Sequence, residues 1–298
     1  MSAFLNLGLD TFFSFKLGAS YCNPNKCVYV NYSTDCNKES RSGEDRHINY
    51  GDIPVKSPGM IRLVTISDTH SRHRAMPPLP EGDIFIHCGD VFMTNSMYSH
   101  GESIKRLHEF NEWLGQDDII RCPHKIVIGG NHDFILDQLG EVETAAILSN
   151  CTYSLNRPIP LCGVTFYCCP LSRGKSHNKA FQSLDYKQHS YRCATAAVTG
   201  TGTGTGSIDV LVTHGSNEGL QEKLQPTMAH LFGHYHAMYG ARFLSRTAGD
   251  GAPHPPLLLS CSSIMDRHYQ LTNVPIVIDL PSIGGNVNQQ HGLSSAQH

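Results

Sequence analysis

The sequence predicts an α/β fold in which two β-sheets pack face to face with helices on the outside. Three observations carry the prediction. Short apolar, β-branched runs recur along the chain. In the first half they alternate with a helix-patterned segment, and in the second half strands follow one another with few helices between them. The chain, at 298 residues, is long enough to bury a substantial core.

The elements follow in order. Residues 1–59 are polar, rich in Asn, Ser and Gly and poorly periodic, and read as a poorly ordered N-terminal extension. Regular structure is expected to begin at Ile61, where Ile61-Arg-Leu-Val-Thr-Ile66 has the composition of a buried strand. Asp83-Ile-Phe-Ile-His-Cys88 is a second strand, after a proline-rich loop over Met76–Pro80. Ile104, Leu107, Phe110 and Leu114 recur at helical spacing, so one face of a helix over 101–114 packs on the sheet, with Trp113 in that face. Lys125-Ile-Val-Ile128 is the third strand, and a short helix is expected over 142–149. Strands resume at 163–169, 208–212, 230–232, 257–260 and 275–279. The Thr-Gly repeat over 199–206 is a low-complexity inserted loop. It lacks the Lys-Ser/Thr and following helix of a phosphate-binding glycine loop. Residues 60–281 thus form one domain, and 282–298, rich in Gly, Asn, Gln and Ser, form a disordered tail.

Composition narrows the function classes. The formal net charge is −3, which leaves no electrostatic footprint for nucleic acid. Apolar stretches fall well short of the ~20 residues of a membrane span. The 11 cysteines are scattered, and Ser2–Ser20 carries Asp10 without a positively charged leading region. Reduced thiols in a cytoplasmic protein are expected. Cys22, Cys27, Cys36 and His47 fit no common zinc spacing, and the cysteines read as free thiols in a loose extension.

The chemistry-bearing residues form an ordered set: Asp68-Thr-His70, Gly89-Asp90, Gly130-Asn131-His132-Asp133, His214 and Gly233-His234-Tyr-His236. Each motif alone is weak, because 18 histidines make such spacings common. Most of them sit just after an apolar run, where the ends of several strands can assemble a single site. The nitrogen and oxygen donors suffice for two divalent metals, a device for hydrolysing phosphate esters. Neutral imidazoles beside carboxylates suit Mn, Fe, Zn or Ni without singling one out. Asp133 orients the loop or caps the next helix. Arg72 and His73 follow the first motif closely enough to contact a phosphate if that loop folds over the site. His87 and Cys88 are expected to serve packing.

Taken together, Ser67-Asp-Thr-His70-Ser-Arg-His73, Ile86-His-Cys-Gly-Asp90, Gly130-Asn-His-Asp133, Cys261-Ser-Ser263 and Thr272-Asn-Val-Pro-Ile-Val-Ile-Asp-Leu-Pro281 resemble the metallophosphoesterase-domain-containing group of the calcineurin-like metallophosphoesterases. The resemblance runs from about Met60 to Pro281. It implies a four-layer αββα sandwich. It further implies that Asp68, His70 and His236 hold one metal, that Asn131, His214 and His234 hold the other, and that Asp90 bridges both. In the family the histidine matching His132 binds no metal and faces the leaving group, which would make His132 and Asp90 the catalytic pair.

The function implied is a dinuclear metal-dependent phosphoesterase, foremost a phosphodiesterase acting on small phosphodiesters, cyclic nucleotides among them, by attack of a metal-bridging hydroxide. The alternatives are a phosphomonoesterase on the same metals and a non-catalytic metal-binding scaffold for protein partners. Three departures from relatives stand out. No Asp-Arg-Gly follows Gly89-Asp90, Asp133 stands where Glu is usual, and His214 is followed by Gly-Ser-Asn217. The first counts against a protein phosphatase. The others lie in loops that line the substrate side.

Overall fold

A computed structural model of the chain describes residues 25–32, 46–93, 98–172, 178–182, 207–247 and 253–282. The Thr-Gly repeat, the first 24 residues and the tail from 283 lie outside the described residues, as do Cys22 and Cys36.

Two six-stranded sheets form the body. The first contains β1 (Lys26–Asn31), β2 (Arg46–Asn49), β3 (Met60–Ile66), β4 (Ile84–His87), β5 (His124–Val127) and β12 (Ile276–Pro281), in the spatial order β2-β1-β12-β3-β4-β5. The second contains β6 (Pro158–Leu161), β7 (Val164–Cys169), β8 (Val210–Thr213), β9 (Ala229–Phe232), β10 (Gly240–Thr247) and β11 (Pro253–Cys261), in the order β10-β11-β9-β8-β7-β6. Strands β3, β4 and β5 are mutually parallel, as are β7, β8, β9 and β11. Parallel neighbours need crossover connections, and helix α1 (His100–Leu114) supplies the one between β4 and β5.

The pleat sorts side chains into three apolar layers. Ile61, Leu63, Ile84, Ile86, Ile126 and Ile128 point inward and meet Val164, Phe166, Cys168, Val210, Val212 and Leu231 of the second sheet. Val64, Ile66, Phe85 and Val127 point outward and are covered by Leu107, Phe110, Trp113 and Leu136 of the helices. Trp113 stacks on Phe110 with centroids 5.6 Å apart, which places it in the core as expected. Tyr167, Cys169 and Leu211, on the outer face of the second sheet, are covered by Leu220 of the short helix α3 (Glu218–Leu224). Helix, sheet, sheet and helix make the four expected layers. Helix α1 starts at Ser99, whose side chain accepts a hydrogen bond from the Glu102 N–H at 3.2 Å.

The structure departs from the sequence reading in several places. Residues 26–31 and 46–49, expected to lie in a poorly ordered extension, are strands of the first sheet. Strand β1 pairs in parallel with β12 (Val28 opposite Ile276), and β2 pairs antiparallel with β1. The boundary expected at residue 60 therefore cuts through the sheet. The physical reason is long-range pairing: Asp279 of β12 is buried and accepts from Tyr29 of β1 at 2.9 Å and from Arg62 of β3 at 2.7 and 2.8 Å. Local composition carries no trace of those partners. The helix expected over 142–149 is the second half of a longer one, α2 (Phe134–Ile147), broken at Gly140, which lies at φ 71°. Strands β6 and β10 were not anticipated, since each forms by antiparallel pairing at an outer edge of the second sheet.

Candidate metal centre

Five loops deliver the candidate ligands. Asp68 and His70 follow β3, Asp90 follows β4, and Asn131 and His132 follow β5. His214 follows β8, and His234 and His236 follow β9. All five strands end at the same edge of the sandwich, and that edge is closed by pairing of Ser67 with Ser263 and by the Ile264 N–H on the Ser67 carbonyl at 3.0 Å. Asp68, His70, Asp90 and His234 all have positive φ (58°, 42°, 53° and 66°). Such backbone is costly for residues with a Cβ, and here it turns four side chains sharply out of their strands toward one point. The loops are laced to one another: Asp68 N–H donates to the Gly89 carbonyl and His70 N–H to the Asp90 carbonyl.

Two glycines are there for close approach. A Cβ on Gly130 would lie 2.3 Å from Asp90 Oδ1 and 2.4 Å from its backbone nitrogen. A Cβ on Gly233 would lie 1.9 Å from Ser67 Oγ and 2.5 Å from Asp68 Oδ2. These residues let the loops after β5 and β9 press against the carboxylates.

Among the described residues, three sets of donor atoms fall within 4.8 Å of one another: Asp68, His70 and His236; Asp90, His214 and His234; and His70, Asp90 and His132. The first set has the same residues as the first expected group, and the second brings His214 and His234 of the other group together with Asp90. His236 Nε2 is 3.4 Å from Asp68 Oδ1, His214 Nε2 is 3.2 Å from Asp90 Oδ2, and His70 Nε2 is 3.8 Å from the same oxygen. Asn131 joins through Oδ1, 3.0 Å from His214 Nε2.

The outer ring nitrogens test whether this set fits metal ions. His70 Nδ1 meets the Phe92 carbonyl at 3.3 Å, His214 Nδ1 the Cys88 carbonyl at 2.9 Å, and His236 Nδ1 the Asp266 carbonyl at 2.8 Å. A carbonyl only accepts, so each Nδ1 carries the hydrogen and each Nε2 presents a lone pair inward. His70 Nε2 and His236 Nε2 then face each other at 3.3 Å, and His214 Nε2 faces the Asn131 oxygen at 3.0 Å. Lone pairs converging at such distances repel unless a cation, metal ion or proton, lies among them. Histidines oriented by outer hydrogen bonds to carbonyls are the usual support of a metal site. The residues present therefore fit divalent cations.

The electrostatics favour positive charge in the cluster. Burial works against the charged forms of Asp68 and Asp90, but neighbouring histidines hold both carboxyls well below the usual range: His236 and His214 for Asp68, His214, His70 and His132 for Asp90. Burial alone would lower His214, yet the Asp90 carboxylate beside it raises it to about 9. Burial lowers His70 and His234 to about 4 and also lowers His132, while the Asp68 carboxylate raises His236 against its own burial.

His132 lies at the rim of the set. Its backbone N–H donates to Asp90 Oδ1 at 2.8 Å, its Nε2 is 4.0 Å from Asp90 Oδ2, and its ring is 4.7 Å from that of His70. The Asn178 amide is 3.1 Å from its Nε2 and 3.4 Å from its Nδ1. Asp133, weighed between loop anchor and helix cap, is a loop anchor. It sits at the N-cap position without a side-chain cap bond, and its carboxylate accepts from Val91, Phe92 and Gly130 at 3.1, 2.8 and 2.7 Å. Burial and the Asp90 charge push it up to about 7 despite those donors.

Other expected residues lie elsewhere. His73, expected beside the phosphate, is buried against Phe110 and Trp113 at 5.1 and 5.3 Å, because the turn after the first motif folds onto α1. Arg72 is exposed at that turn. His87 packs outward, with Thr69 Oγ1 3.0 Å from its Nε2, and Cys88 packs inward. Conversely, Tyr269 went unnoticed in the sequence. Its ring lies 4.9 Å from His70, 5.0 Å from His236 and 6.4 Å from His132. The loop holding it is closed by Asp266 Oδ1, which accepts from His268 and Gln270, and no periodicity marks such a loop.

No family model matches the chain. It is 27% identical over 269 residues to metallophosphoesterase domain-containing protein 1 of Homo sapiens, covering 76% of this chain and 73% of that protein. A UPF0046 protein of Caenorhabditis elegans is 26% identical over 267 residues, covering 77% and 84%. A second UPF0046 protein of that organism is 27% identical over 219 residues, covering 63% and 67%. The two-sheet α/β sandwich and its converging histidines and carboxylates accord with this similarity to metallophosphoesterase domain-containing proteins.

Proposed function

We propose that this chain is a dinuclear metal-dependent phosphoesterase and that phosphodiesters are its substrates. The observation that carries the reading is the pair of adjoining donor sets, with Asp90 Oδ2 3.2 Å from His214 Nε2 and 3.8 Å from His70 Nε2, and with Nε2 of His70, His214 and His236 turned inward by carbonyls on their outer nitrogens. Asp68, His70 and His236 would hold one cation, Asn131, His214 and His234 the other, with Asp90 common to both. Two such cations neutralise the charge of a phosphoester and lower the pKa of a water held between them. The relatives from Homo sapiens and Mus musculus bear a metallophosphoesterase name, which supports the same chemistry.

The chain's own residues do the rest. Asp90 ties the two sets together and also fixes His132 through its backbone N–H. The His132 ring, outside both expected ligand sets, would donate a hydrogen bond or proton to the departing oxygen. Asn178 holds that ring in place. Asp133 pins three loop N–H groups and so keeps Asp90, Asn131 and His132 in register. Missing the arginine-bearing motif of protein phosphatases, the site suits a small ester.

The test joins metal analysis to turnover. Purified protein is expected to bind two divalent ions per chain and to hydrolyse bis(nitrophenyl) phosphate faster than nitrophenyl phosphate. Two bound metals with hydrolysis of neither ester would support a scaffold role instead. Preference for the monoester would reverse the substrate assignment.

A further inference from the structure

A hollow of about 380 Å³ opens beside His132, between the N-terminal turns of α1 and α2. This is the size of a small-molecule site, for which about 300–1,000 Å³ is usual. Its lining includes three aromatic side chains, Phe92, Tyr98 and Phe134, beside Met93 and Ile135, with Ser103 and Arg106 contributed by α1 and His132 among them. The walls are built from the same backbone as the metal centre. The Phe92 carbonyl holds His70 Nδ1, the Phe92 N–H is held by Asp133, and Phe134 stands two residues beyond His132. The Arg106 guanidinium lies 3.9 Å over the Tyr98 ring and makes a flat lining surface.

We propose that this hollow receives a planar aromatic or heteroaromatic ring carried on the leaving alcohol of the substrate. The inference rests on the phosphoesterase reading, because it takes the phosphorus to lie at the metal centre and the leaving oxygen at His132. A chain of atoms leaving the phosphorus toward His132 enters the hollow directly. Three aromatic side chains and a stacked guanidinium present flat faces, and flat faces select a ring over a branched or extended alkyl group. The specificity-determining residues are then Phe92, Tyr98, Phe134 and Arg106, none of which is a candidate ligand.

Binding of non-hydrolysable phosphonates to the full-length, Mn²⁺-loaded protein tests this by calorimetry. Naphthylmethylphosphonate is expected to bind about 10–100-fold tighter than methylphosphonate, from the apolar area it buries. Ser103→Trp fills the hollow from a partly exposed helix position. It should abolish that advantage while leaving methylphosphonate affinity within about twofold of wild type. Phe134→Ala, which removes a wall instead of filling the space, should reduce the advantage as well. Equal affinity of the two phosphonates for wild type, or an advantage that survives Ser103→Trp, overturns the proposal. So does an advantage lost only in Tyr269→Ala, which would seat the ring against Tyr269. If neither phosphonate binds, the phosphoesterase reading falls with it, whereas binding of methylphosphonate alone sinks only the ring pocket.

Discussion

Replacing Gly130 by alanine adds one methyl group to a residue that is not a ligand, and its effect can be worked out from the structure. The new Cβ would lie 2.3 Å from Asp90 Oδ1, 2.4 Å from the Asp90 nitrogen and 2.7 Å from His214 Cε1, where ordinary contact begins near 3.4 Å. The overlap is about 1 Å with each Asp90 atom, so side-chain rotation alone cannot relieve it and the loop must move. Asp90 reaches toward both donor sets, its Oδ2 3.2 Å from His214 Nε2 and 3.8 Å from His70 Nε2, and it also anchors His132. A displacement of about 1 Å at a reacting centre costs on the order of 10²-fold. We therefore expect kcat/KM on bis(nitrophenyl) phosphate to fall by about 10²-fold or more at saturating Mn²⁺, with the far-ultraviolet spectrum unchanged. Gly101→Ala, in the first turn of α1 with nothing within 4 Å of its added Cβ, is the control. It should leave turnover intact and stabilise the fold by up to about 1 kcal/mol. A Gly130→Ala protein with wild-type turnover would refute the claim that close approach of this loop to Asp90 organises the centre.

Three further outcomes are expected. His132→Ala should lower turnover by about 10²–10⁴-fold while metal content measured by elemental analysis stays normal; loss of metal would instead make His132 a ligand. Three buried histidines outside the expected ligand sets should make the fold acid-sensitive: burial lowers His87 and His230 to about 3 and His73 to about 4. Below pH 6.5 the unfolded chain takes up protons that these folded residues refuse, so stability falls with pH at about 1.4 kcal/mol per pH step for each, until their folded values are reached. Between pH 6.5 and 5.5 the loss is at most about 4 kcal/mol, read from urea midpoints, and unchanged midpoints would contradict it. Finally, a chain beginning at residue 60 lacks β1, leaves β12 with an open edge and strips Tyr29 from Asp279. It should be less soluble and melt at a lower temperature than the full chain, and equal melting would show that the strand contributes nothing.

Much of the centre was legible because metal donors at strand ends are a local pattern. Asp68-Thr-His70, Gly89-Asp90 and Gly130-Asn-His-Asp133 each follow a buried run that only a strand would carry. His73 was misplaced for the opposite reason. Its distance along the chain from His70 is short, but the left-handed turn at Ser71 (φ 64°) sends it into the helix layer. Tyr269 and Asn178 were invisible because they reach the site from loops that carry no periodic signal.

The sequence by itself determined most of the strand alternation, the core face of the helix over 101–114 and which residues could serve as metal donors, because pleat and chemistry act between neighbouring residues. Tertiary structure alone decided that β1 completes the first sheet, that the histidines turn their Nε2 atoms toward one another, and that an aromatic hollow adjoins His132. Those facts depend on contacts between residues far apart in the chain, such as Tyr29 with Asp279 or His236 with Asp266, and no local pattern encodes such contacts.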